Sequence, residues 1–173
     1  MAYQNYIYRT SGRNYARAGC TQRDGSEDSG RTGSGVSPAF SERYEVDIHT
    51  HTIASGHGSG ATITDMVKAA KARQLKMLGI SDHGPAILGG GRVSYFRNLK
   101  YAQRERLGIK MLYGAEADIT NHRGDLDLSD DVLKGLDYVI ASMHSPVIKP
   151  GTVEENTAAY IEAMKNRARQ MKR

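Results

Sequence analysis

Residues 44–51 read Tyr-Glu-Val-Asp-Ile-His-Thr-His, a short run with alternating apolar positions that ends in two histidines. Such a run predicts a strand, Tyr44–His49. A Gly/Ser loop follows, and then Met66, Val67, Ala70 and Leu75 recur at helical spacing behind Thr64 as N-cap. The same alternation continues outward. Lys76–Ser81 (KMLGIS) predicts a second strand, the Gly-rich GPAILGGGR a loop, and Tyr95–Leu107 a helix with Phe96, Leu99, Ala102 and Leu107 facing in. Lys110–Ala115 (KMLYGA) is a third strand, a short polar helix falls near Asp130–Leu133, and Tyr138–Ser142 (YVIAS) is a fourth strand. A last helix begins near Glu154, with Thr157, Tyr160, Ile161 and Met164 as its inner face. Short apolar runs alternating with helical stretches are the sequence form of βα units, so the class is α/β with about four units on a parallel sheet.

The chain on either side reads differently. Residues 1–43 are rich in Gly, Ser, Arg and Thr over positions 18–35 and nearly lack bulky aliphatics, so burial cannot offset their ordering entropy. They are expected to form a disordered arm, foreign to the domain at 44–166. Tyr3, Tyr6, Tyr8 and Tyr15 follow neither a two-residue nor a helical period. The net charge of +5 resides wholly in Lys165, Arg167, Arg169, Lys172 and Arg173, so 167–173 is a basic tail and the rest is neutral. A nucleic-acid groove needs basic residues interleaved with stacking aromatics, and the middle of the chain has no such pattern. No apolar run approaches the ~20 residues of a membrane helix, and the N-terminus lacks the apolar region of a secretory signal. Cys20 is the single cysteine, which excludes an internal disulfide or a cysteine metal cluster and fits a reducing, cytoplasmic setting.

The histidines carry the chemistry. Of six, His49, His51, His83 and His144 fall at or just past the C-terminal ends of predicted strands, the catalytic rim of a β/α barrel. His49 and His51 lie two apart on an extended chain, so both imidazoles point to one side and can reach one metal. His57 sits six residues on, in a loop that can fold back to the rim. His83 ends strand two, and Asp82 beside it is placed to orient a ligand. Glu116 ends strand three behind apolar and small residues, where a carboxylate is expensive unless paired or metal-bound. Arg92 and Arg97, after the Gly-rich loop, are candidate phosphate holders. That loop lacks the Gly-Lys-Ser/Thr ending of a P-loop and reads as a flexible substrate loop.

DIHTHTIASGHGSG, LGISDHGP, GAEADI and ASMHSP, in this order between about Glu45 and Asn166, resemble the successive metal-binding motifs of the PHP (polymerase and histidinol phosphatase) superfamily, in particular its YcdX-like phosphatase branch. The resemblance implies the N-terminal half of a distorted, TIM-like (β/α) barrel. It also implies a cluster of three metal ions, commonly zinc with manganese as an alternative, hydrolysing a small-molecule phosphate ester. By position, His49 and His51 would bind a first metal, Glu116 would bridge it to a second held by His144, and His57 with His83 would hold a third.

The family pattern goes on to a further histidine and a late Asp-x-His pair. This sequence has no histidine after His144, and an apolar next strand is replaced by RARQMKR. The sequence therefore reads as C-terminally truncated, with each metal short of a protein ligand, which argues against turnover by this chain alone. Two other readings stand beside the phosphatase: a non-catalytic metal-binding remnant, favoured by the missing ligands, and an amidohydrolase-like metal hydrolase, which shares the first His-x-His. A nucleic-acid-binding module rests only on the basic tail.

Overall fold

The computed structural model describes residues 6–9, 45–57 and 60–170. Strand β1 is Tyr6–Arg9 and β2 is Val46–Asp47, followed by a 3-10 turn at Ile53–Ser55; helix α1 spans Ile63–Ala72. Then come β3 (Met77–Ile80), α2 (Val93–Asn98) continued by a 3-10 turn at Leu99–Tyr101, β4 (Glu105–Arg106) and β5 (Ile109–Asp118). The chain goes on through α3 (Asp130–Leu133), β6 (Tyr138–Ser142) and α4 (Val153–Gln170). β2, β3, β5 and β6 are parallel neighbours in that spatial order and curl as half of a barrel, with α1, α2, α3 and α4 in the crossovers and after β6. β5 is the hinge of the curl. Its first half, Lys110–Tyr113, pairs with β3, and its second half, Gly114–Asp118, pairs with β6.

Two antiparallel additions complete the sheet. β4 folds back on the start of β5, and β1 pairs with β6 from Tyr6 opposite Ala141 to Arg9 opposite Tyr138. The sequence shows no strand period at Tyr6–Arg9. Backbone groups make an edge ladder whatever the side-chain pattern, and the outer side of β6 offers a row of them. The remainder of 1–43, Tyr44 and 171–173 lie outside the described residues. α4 continues through Gln170, so its backbone is helical into the basic tail.

The main core lies between sheet and helices: Val67 and Ala70 of α1, Phe96 of α2, Val132 and Leu133 of α3, with Leu78, Ile80, Met111 and Tyr113 of the strands. Burying one side chain such as Phe96 contributes roughly 1.5–3 kcal/mol. A second cluster sits under α4, formed by Ile119, Ala141, Met143, Ile148, Ala159 and Ala163.

Several local expectations are corrected. α1 is capped by Thr62, not Thr64: the Thr62 hydroxyl accepts from the Asp65 N–H while the Asp65 carboxylate accepts from the Thr62 N–H. The expected helix Tyr95–Leu107 stops at Asn98, because the chain downstream is spent on a hairpin whose two-residue turn, Leu107-Gly108, has both φ angles positive at 53° and 80°. Leu107 is therefore exposed and not part of an inner face. On α4 the buried positions are Ala159 and Ala163, whereas Thr157 and Ile161 are exposed. The small alanines let the helix approach β6, and of the expected inner face Tyr160, half-buried, does pack against this cluster. β2 is only two residues long, shorter than Tyr44–His49.

Tyr138 explains how so short a strand is held. Its ring lies over Gly114 of β5, where an added Cβ would fall 2.7 Å from it, and its hydroxyl passes 2.5 Å from where a Cβ on Gly79 would be. The hydroxyl then donates to the Ile48 carbonyl at 2.7 Å. Glycine in these two strands is required by close approach, not by turn geometry. A side chain of β6 thus ties down the residue before His49.

Among the described residues no helix is long and apolar enough to cross a membrane.

Candidate metal centre

Each parallel strand delivers one part of the site. His49 and His51 follow β2, and His83 follows β3, where it makes an isolated bridge to Glu116. Glu116 lies near the end of β5, and His144 comes just after β6. The structure brings these five together with His57, all on one rim. Glu116 Oε2 is the hub: His49 Nε2 lies 2.9 Å from it, His51 Nε2 3.1 Å and His83 Nδ1 3.5 Å. His144 Nε2 approaches the other oxygen at 3.7 Å. The rings touch in turn: His51 stacks on His83 with centroids 4.6 Å apart, and His57 lies 4.7 Å from His83 and 5.2 Å from His51.

Glu116 is 2% exposed. Burial alone would raise its pKa, but hydrogen bonds from His49, His51 and Ser142 together outweigh that and hold the carboxyl far below the usual carboxylate range. His83 goes the other way: burial, aided by the neighbouring histidines, lowers it to about 4 against the pull of Glu116. His144 is raised above the ordinary imidazole value, chiefly by its 2.7 Å hydrogen bond from Nδ1 to Asp118. The site is thus a carboxylate kept ionised within a ring of imidazoles, one of them kept neutral.

Three overlapping groups bring ligand atoms within 4.8 Å of one another: His51, His57 and His83; His49, His51 and Glu116; His83, Asp118 and His144. Imidazole with carboxylate suits zinc and similar divalent ions. Two observations test the fit. Among the described residues the buried atoms His83 Nδ1 and Asp118 Oδ2 find no hydrogen-bond partner, although buried polar groups are normally satisfied. His49 and His51 aim ring nitrogens at one carboxylate oxygen, a contact that is attractive only with a proton or a cation between them. Both observations suit a cation-binding cluster.

Asp82 stands apart. It is fully buried, and its carboxylate turns away from the cluster to accept from the Thr52 N–H (2.5 Å) and from the hydroxyls of Thr52, Ser55 and Tyr95. Arg97 pairs with Asp131 of α3 at 2.9 Å and is engaged in the helix layer. Arg92 is exposed at the start of α2, one residue beyond Gly91, whose N–H donates to the His83 carbonyl.

The Gly-rich loop is pinned, not loose. Gly84 leaves room for the Asp127 carboxylate, which accepts from Ala86 N–H, and Gly89 touches the backbone of Gly56.

The profile of the PHP domain matches residues 47–172. The chain belongs to the PHP domain family. A probable phosphatase of Clostridium novyi (strain NT) is 44% identical to it over 124 residues, which is 72% of this chain and 50% of the relative. One from Clostridium botulinum (strain Hall) is 48% identical, covering 72% and 51%, and one from Acetivibrio thermocellus is 43% identical over the same shares. The chain spans about half the length of these curated relatives.

Sequence reasoning on this PHP domain misses Asp118, Ser55 and Tyr95. Asp118 follows Glu116 by two positions on one strand, so the two share a face, and that spacing is a readable signal. Ser55 is four residues past His51 in a turn, and Tyr95 is far away in sequence; neither has a local signature.

Proposed function

We propose that the PHP domain in this chain is the N-terminal half of a metal-dependent phosphoesterase acting on a small-molecule phosphate ester. The observation that carries the reading is the convergence of five histidines and Glu116 at the ends of successive parallel strands. His49, His51 and Glu116 would hold one ion, Glu116 with His144 a second, and His57 with His83 a third, zinc being the best match to these donors and manganese the alternative. Such ions supply Lewis acidity toward phosphoryl oxygens and a water of lowered pKa.

The residues of the chain supply the rest. Glu116, held ionised, balances the positive charge of the cluster. His83, held neutral, offers a lone pair at the depth where water is scarce. Asp118 keeps the Nδ1 proton of His144, so that Nε2 faces the hub. His57 is exposed and His49 and His144 are 31% and 32% exposed, so a phosphate ester would reach the cluster past these three.

Six donors give each of three ions two or three protein contacts, whereas zinc sites that activate water use about three plus the water. Donors from the part of the relatives that this chain does not span would complete the set. The chain joined to the second half of the Clostridium novyi relative should therefore hydrolyse p-nitrophenyl phosphate with zinc or manganese, and residues 1–173 alone should bind metal with little turnover. A joined protein that binds metal yet cleaves no phosphate ester would overturn the reading. Weak turnover by 1–173 is also what a metal-binding remnant would show, so the joined protein separates the two.

A further inference from the structure

The hydroxyl of Ser55 sits at the meeting point of two predicted metal ligands and a buried acid. It lies 2.7 Å from Asp82 Oδ1, 3.1 Å from the backbone nitrogen of His83 and 2.9 Å from His51 Nδ1. A hydroxyl has one proton to give and two lone pairs to receive with, and all three are used here. The backbone N–H can only donate. The Asp82 carboxylate already receives the Thr52 N–H and the hydroxyls of Thr52 and Tyr95, so it acts as an acceptor. The Ser55 proton therefore goes to Asp82, and His51 must donate its Nδ1 proton to Ser55. That turns Nε2 to the hub of the cluster, 3.1 Å from Glu116 Oε2, where a proton shared with Glu116 can give way to a cation.

We infer that Ser55 is a positioning residue of the candidate metal centre, which, anchored by Asp82 and Tyr95, holds the proton of His51 on Nδ1 and so makes Nε2 the nitrogen offered to a cation. The inference deepens the metal-dependent reading above and rests on it for its functional meaning; the tautomer itself does not. Asp82 is the anchor because it gathers three segments: Thr52 and Ser55 from the turn after β2, its own place beside His83 after β3, and Tyr95 from α2. The buried Tyr95 phenol is held protonated, first by burial and then by the charge of Asp82, so it remains a donor. Because the same hydroxyl accepts from the His83 N–H, one oxygen sets the position of two ligands.

The test uses the full chain with histidine nitrogens labelled, stripped of metal by chelator and held near pH 8, above the usual imidazole pKa of about 6.5. Long-range proton–nitrogen correlation reads which ring nitrogen of His51 carries the proton, with His51→Ala identifying the signals. The expected result is a protonated Nδ1 in the wild type, which needs no variant to fold. A bare Nδ1 would overturn the inference. Ser55→Ala should release the tautomer and weaken zinc binding, measured against a chromophoric chelator, by about 10- to 100-fold. Ser55→Thr, which keeps the hydroxyl, should restore both. Tyr95→Phe should keep the tautomer and cost a few-fold in zinc affinity. A Ser55→Ala protein whose His51 signals stay as in the wild type also overturns it. Should the wild type show protonated Nδ1 yet bind no zinc, the relay stands and the metal-dependent function falls.

Discussion

Tyr138→Phe removes a single oxygen and isolates the strut that fixes the end of β2. The hydroxyl is buried and donates to the Ile48 carbonyl at 2.7 Å, while the ring rests on Gly114. Phenylalanine keeps the ring packing, so there is almost no cavity to count. The remaining cost is the part-buried Ile48 carbonyl, which loses its donor, about 1–3 kcal/mol for an unsatisfied group. β2 has only two residue pairs to β3, so it cannot take up the loss by tightening its ladder. We expect about 2 kcal/mol, a fall in Tm of about 6 °C for a domain of this size. Urea unfolding of the full chain, followed by circular dichroism, should show a lower midpoint at unchanged m. His49 is the next residue after Ile48, so zinc affinity should also fall. Gly79→Ala provides the internal control, since its Cβ would lie 2.5 Å from the Tyr138 hydroxyl and 2.9 Å from Ile48 Cα. In the Tyr138→Phe background the first conflict disappears and the second stays, so the two substitutions together should cost less than their sum. A loss below about 0.5 kcal/mol in Tyr138→Phe, or strict additivity with Gly79→Ala, would refute the strut.

Three further outcomes are expected. Leu107→Asn should raise stability by about 0.5–1 kcal/mol in urea unfolding, because Leu107 is exposed at φ 53° and Asn before Gly108 is the favoured pair for this turn. Glu116→Gln should abolish turnover in the joined phosphatase and weaken zinc binding to the chain, since it removes the charge at the hub of the cluster. Asp127 is lifted by burial to about 6, against the backbone donors Ala86 and Asp118. Its folded form keeps a proton that the unfolded form has lost, so its stabilising share is full below about pH 4 and disappears as pH rises through 6. The unfolding free energy of the wild type minus that of Asp127→Asn should accordingly fall between pH 4 and 6; a flat difference would show that Asp127 titrates normally.

The sequence is legible where one rule acts alone. Apolar runs mark four strand positions, and the strand-end histidines with Glu116 can be read because a barrel rim collects the residues at and just past the end of each strand. It misleads where two rules compete. Phe96, Leu99 and Ala102 do keep a helical spacing, but Gly108 turns the chain into a hairpin, and nothing in local periodicity says which takes precedence. On α4 the larger residues draw the eye to Thr157 and Ile161, whereas closeness to β6 selects Ala159 and Ala163. The supports of the candidate metal centre are least visible. Asp82 can be recognised as a neighbour of a ligand, but its four donors come from Thr52, Ser55 and Tyr95, and a partner brought by folding across the sheet leaves no trace in spacing.

β1 has a consequence for the order of events during synthesis. Tyr6–Arg9 leave the ribosome before any other described element, yet their partner, β6, is the last of the described strands to be made. Until Tyr138–Ser142 emerges, the backbone donors and acceptors of β1 have no ladder to join, and joining it closes the longest loop in the sheet. Such distant pairings form late and slowly. A nascent chain arrested after β5 should therefore hold β3 and β5 already paired while the amides of Tyr6–Arg9 still exchange freely with solvent, and those amides should become protected only when β6 is released.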